Sequence, residues 1–112
     1  MKRIALIVLT LAACDAASNE LPAVEQARSV AAEWASINEL EAKGRVPATY
    51  AAEMRRDARS DLETLAAKFA DPRSSEARIV GELLALPEDA PPAEFTDRAE
   101  RLKAIEDRLA VS

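Results

Sequence analysis

The residues able to do chemistry are few in kind, and their pattern excludes more than it offers. The chain of 112 residues contains one cysteine, Cys14, and no histidine. An intrachain disulfide cannot form, and a zinc site of the Cys/His kind cannot be assembled. The seven serines lack the imidazole that activates a nucleophilic hydroxyl in the familiar triads. No phosphate-cradling glycine loop, dinucleotide fingerprint or HExxH pair occurs. Carboxylates are abundant, and Glu25, Glu33, Asp57, Glu63, Glu82 and Glu106 all fall in helical text. There the expected setting is solvated surface, and two acids across a substrate cleft need more concave space than a chain this short and poor in aromatics provides. No catalytic residue, metal ligand or cofactor is expected, and the chain reads as a non-enzyme.

Two further groups merit attention. Arg55, Arg56 and Arg59, with Arg45 nearby, are the densest basic cluster. They could meet a phosphate or headgroup, but interleaved Asp57, Asp61 and Glu63 favour a charge lattice within one helix. Trp34 and Tyr50 flank a proposed helix–helix turn. They could form an interaction surface together with those arginines, although core packing is the commoner role for aromatics on apolar stripes.

The elements that must position these residues are helices. The hydrophobic share is 49%, supplied mainly by Ala and Leu, with four aromatics and two glycines. That composition favours helix throughout. The spacing predicts four. The first, from about Leu21 to Lys43, places Pro22 in its first turn and Gly44 just past its end. Ala27, Val30, Ala31, Trp34, Ile37 and Leu40 form its apolar stripe. The second, from about Pro47 to Ala70, carries Tyr50, Met54, Ala58, Leu62, Leu65 and Phe69 on one face. The third begins near Asp71, Pro72 or Ser74 and reaches Leu86, with Gly81 weakening its interior. The fourth runs from about Pro92 to Ala110, with Phe95, Ala99, Leu102, Ile105 and Leu109 facing inward. Glu39–Lys43, Glu94–Arg98 and Asp97–Arg101 are i,i+4 pairs. The expected fold is all-α: a small antiparallel bundle of about four helices, the first two forming a long αα-hairpin across Gly44-Arg45-Val46.

Residues 1–14 differ from the rest. Lys2 and Arg3 precede an apolar run from Ile4 to Leu11, then Ala12, Ala13 and Cys14. A basic start, a short apolar run and small residues at a cut site form the secretory signal pattern, and the run is too short to span a bilayer. Leu11-Ala12-Ala13-Cys14 resembles the lipobox of bacterial lipoproteins, a likeness confined to residues 1–14. The resemblance implies cleavage by signal peptidase II before Cys14 and lipid on the Cys14 sulfur. It further implies residence at a bacterial membrane, facing the periplasm. Asp15, directly after the cysteine, resembles the inner-membrane retention signal of enteric lipoproteins; it reads equally as a simple tether residue. The chain then divides into a signal peptide (1–13), a small polar tether (14–20) and a helical domain (21–112). The six residues after Cys14, 15–20, reach at most ~20 Å.

Charge limits the partners. The formal net charge is −5, and with Lys2 and Arg3 removed it falls to −7, because all twenty acids follow Cys14. Nucleic-acid binding needs the opposite balance. The expected partners are the membrane, through lipidated Cys14, and a second protein or another copy of the chain. The alternative is a small ligand or lipid held in an apolar site between the helices, as in a carrier or inhibitor.

Overall fold

In a computed structural model of the chain, backbone conformation is described for residues 2–111 and side chains for residues 20–111. The described backbone holds four helices: α1 (Lys2–Ala42), α2 (Ala48–Ala66), α3 (Ser75–Ala85) and α4 (Pro92–Ala110). No strand occurs among the described residues. The chain is a small all-α helical bundle, as the composition requires.

The bundle is organised around α1. This helix packs against α2 and α4, more lightly against α3, and α3 in turn touches both α2 and α4. No close approach exists between α2 and α4. Their separation leaves one side of α1 covered by α3 and the opposite side uncovered. Within α1 the buried positions are Ala23, Val24, Ala27, Val30, Ala31, Trp34, Ala35 and Asn38. Steps of three and four residues make this a broad stripe, and its many alanines let neighbouring helices approach closely. Leu62, Leu83, Phe95 and Leu102 meet it from the other three helices, all fully buried.

Helix ends follow local chemistry closely. Gly44 has φ +68°. Its N–H donates to the Glu41 carbonyl at 2.9 Å, and the Arg45 N–H donates to Leu40 at 2.9 Å. These are the two reversed bonds of a Schellman motif, and they require a left-handed residue where Gly44 stands. Ser74 caps α3: its hydroxyl accepts from the Ala77 N–H at 3.2 Å. Asp71 closes the preceding turn by accepting from the Arg73 N–H at 2.9 Å. α4 begins with Pro92 in the first turn and ends at Ala110, the bounds expected from its sequence.

Three expectations are corrected. α1 begins at Lys2, so Pro22 lies inside a helix and not in its first turn. The Pro22 ring removes one i→i−4 bond from that helix. α2 ends at Ala66, four residues early. Phe69 stays buried past the end of the helix, and the Ala70 N–H donates to Glu20 Oε1 at 3.1 Å. A tertiary contact thus replaces the last helical turn. Finally, the inward face of α2 is Ala51, Arg55, Ala58, Leu62 and Leu65. Tyr50 is 47% exposed and Met54 half-buried. Ala51 permits close packing where Tyr50 would not, so α2 turns its small residue inward.

Candidate functional site

The described structure brings the sequence-selected residues into two different places. Trp34 is 1% exposed and Arg55 is 8% exposed. Both belong to a polar cluster inside the bundle and neither offers a surface. Tyr50 and Arg56 are exposed on α2, and Arg59 is half-buried between them and the core. The five do not form one face.

The cluster is built around Asn38, a buried amide one turn beyond Trp34. Asn38 Nδ2 donates to the carbonyls of Glu88 at 3.0 Å and Ala90 at 2.9 Å. Its Oδ1 accepts from Arg55 Nε at 2.8 Å. Arg55 Nη2 donates in turn to Glu41, whose carboxylate is partly solvated. Trp34 Nε1 donates to the same Glu88 carbonyl at 2.9 Å. Asn38 therefore ties α1 to α2 and to the connector between α3 and α4, a Pro-rich segment with no helical bonds of its own.

Two side chains pack on the Trp34 ring. It stacks on Phe95 with centroids 4.8 Å apart and planes at 19°. Arg59 Cζ also sits over the ring, 5.6 Å from the centroid and within cation–π range. Arg59 also donates to the Leu84 carbonyl at 3.0 Å and lies 3.8 Å from a Glu88 carboxylate oxygen. Arg55 and Arg59 of α2 thus find partners on α1 and on the α3–α4 region, while Arg56 is exposed. The lattice expected within α2 itself is replaced by ties between elements, because a long guanidinium on the inner edge of α2 reaches acceptors across the interface.

Asn38, Glu41 and Glu88 were not singled out by sequence. The one available signal was Asn38 at i+4 from Trp34, a polar residue on an otherwise apolar stripe. Glu106 also departs from its expected solvated setting: it is buried under Arg28 (2.7 Å) and Lys103 (2.9 Å). Hydrogen bonds first from Lys103 and then from Arg28 hold its carboxyl below the ordinary range. Glu82, on α3, is held low chiefly by its bond to Arg101, with Arg98 and Arg78 adding to the effect.

The uncovered side of α1 carries a concavity. A groove of about 400 Å³ runs between α1 and α4, floored by Ala32, Ala35, Ala99 and Pro92 and edged by Arg28, Lys103, Glu39 and Glu100. A second of about 360 Å³ continues it toward α2 over Ile37, Leu40 and Met54. Leu40 there is 37% exposed. The arrangement is a shallow apolar surface with a charged rim. Alanine and proline between charged side chains give it the character of a contact surface.

Among the described residues, no group of three or more potential ligands could hold a metal ion, and no helix is long and apolar enough to cross a membrane. Leu11, Ala12, Ala13, Cys14 and Asp15 lie outside the residues whose side chains are described. No protein-family model matches the sequence, and no curated protein or solved structure is significantly similar to it.

Proposed function

We propose that this chain is a lipid-anchored protein of a bacterial envelope, held through Cys14 and presenting a small, non-enzymatic helical interaction module toward the periplasm. The carrying observation is the order of residues 1–14: basic start, apolar run, then Leu11-Ala12-Ala13-Cys14. Two or more acyl chains on one cysteine anchor a protein stably, at about 0.8 kcal/mol per buried methylene. The open groove along α1 supports an interaction role, since it leaves a contiguous apolar surface beside a filled core.

The alternative is a ligand or lipid carried between the helices. The packing around Trp34 argues against it. The ring is stacked on Phe95 and bonded to Glu88, with Arg59 over it, and the concavity of about 220 Å³ beside it is edged by Glu33, Arg55, Asp57 and Asp61, a charged lining that suits an apolar ligand poorly.

The anchor is tested by expressing wild type and Cys14→Ser in bacteria with radioactive palmitate, followed by envelope fractionation. The expected result is label and membrane pelleting for wild type alone. Equal labelling of the two, or a soluble wild type, removes the reading. Crosslinking in cells with mass spectrometry then separates a protein partner from a small ligand.

A further inference from the structure

The bundle has two ends, and only one can lie near the anchor. Arg28 meets Glu106, Trp34 meets Phe95 and Asn38 meets Ala90, so α4 runs antiparallel to α1. Glu20 binds the Ala70 N–H. One end of the bundle therefore gathers the residues around Glu20, the α2–α3 loop and the end of α4. The Gly44 turn and the α3–α4 connector form the other end. The stretch of α1 between them, residues 20–42, is about 33 Å long at helical rise. We infer that the end at Glu20, the α2–α3 loop and Val111 is a docking surface for the phospholipid bilayer; this rests on the lipid-anchor reading.

Chain length carries the first part of the argument. Between Cys14 and Glu20 the chain reaches about 9 Å as helix and about 20 Å fully extended. Lipid on Cys14 would keep this end within headgroup reach and hold the Gly44 turn well above the surface.

Surface chemistry carries the second part. Ala67, Ala70 and Pro72 are exposed at this end, and Val111 is 86% exposed. Lys68 and Arg73 stand among them, and neither has a carboxylate partner among the described residues. The neighbouring acids Glu20 and Asp71 are each turned onto a backbone N–H, and Asp107 is 3.1 Å from Lys103. Small apolar groups beside two unpaired cations suit an interface of anionic headgroups. Glu20 and Asp71 also stand at this end, so the contact with headgroup phosphates is local to Lys68 and Arg73; carboxylates near the Gly44 turn lie several Debye lengths away, at about 8 Å each in physiological salt.

Lipidated Cys14 leaves the mature protein without a free thiol, so an introduced cysteine can be labelled alone. Ala48→Cys and Ala67→Cys place probes at opposite ends of α2, both at exposed positions. The lipidated full-length protein is reconstituted in phosphatidylethanolamine/phosphatidylglycerol vesicles containing a headgroup nitroxide. The expected result is strong quenching of the fluorophore at position 67 and none at 48. Adding Lys68→Glu and Arg73→Glu should lower the docked fraction at position 67 by at least roughly tenfold, at about fivefold per near-surface cation. Vesicle flotation should not change. Equal quenching at both positions overturns the inference. So does its persistence after the charge reversals, or a floating protein unquenched at both because a second copy covers this end. Loss of flotation in the parent protein instead overturns the anchor itself.

Discussion

Arg55 of α2 donates its Nε–H to Asn38 Oδ1 of α1 at 2.8 Å, inside the hydrophobic interior of the bundle. A charged group is tolerated there because its guanidinium has oriented polar partners: Asn38 on one side and the Glu41 carboxylate on another. Such a pair adds little net stability compared with apolar packing, but breaking it from one side is costly. Asn38→Ala strands the Arg55 Nε–H and the Ala90 carbonyl together. The expected loss is about 2–4 kcal/mol, read as a lowered urea midpoint with unchanged slope. A double-mutant cycle with Arg55→Met should return a coupling of about 1 kcal/mol or more, since the two side chains touch.

Trp34 separates packing from hydrogen bonding. Trp34→Ala removes a fully buried ring and its stack on Phe95, with an expected cost of about 3–5 kcal/mol. Trp34→Phe keeps most of the stack and loses the N–H to Glu88. That carbonyl still accepts from Asn38, so the expected cost is nearer 1 kcal/mol. Thermal unfolding followed by circular dichroism distinguishes the two; equal losses would show that the hydrogen bond, not the ring volume, dominates.

The two glycines should respond in opposite directions. Gly81 is helical, exposed and has nothing within 4 Å of where a Cβ would stand. Gly81→Ala should therefore stabilise by about 0.5–1 kcal/mol. Gly44 has equal space but φ +68°. Gly44→Ala should destabilise by about 1 kcal/mol through backbone strain alone. Melting temperatures of the two variants on either side of wild type are the expected outcome.

Stability should fall with acid through Glu106 and Glu82. Both carboxyls are held below their unfolded range by cationic partners. Their contribution is present above the usual glutamate value of about 4.3 and is lost as pH drops through the lowered folded values. Lys103 works the other way. Its bond to Glu106, followed by that to Asp107, raises its pKa, so its contribution holds below the unfolded lysine value and is lost as pH climbs through the folded one. A melting-temperature profile should be flat near neutrality and fall at both extremes. Glu106→Gln should flatten part of the acid limb; an unchanged acid limb would remove Glu106 from the account.

The local signals in this sequence were strong enough to specify helices and several of their ends, though not the start of α1 or the stop of α2. Ala- and Leu-rich text without strand alternation meant helix. Gly44 beyond Leu40 and Glu41 meant a left-handed stop, Asp71 and Ser74 were the two candidate caps of α3, of which the structure uses Ser74, and Pro92 opened α4. Each of these depends on backbone chemistry within a few residues. The signals at Cys14 are also local, and they carry the anchor reading without help from the fold.

Tertiary structure decided what faces inward and what binds what. Tyr50 and Arg55 both lay on plausible faces of α2, one apolar and one charged, and the helix buries the charged one. Periodicity could not settle this, because a rotation of one residue about the helix axis depends on what the facing helix offers. Here α1 offers Asn38 and Glu41, and Ala51 sets the approach. The same reason hid the role of Glu88, which acts mainly through its backbone carbonyl. It also hid the groove over Ala32 and Ala35, which exists only because α2 and α4 stand apart on either side of α1.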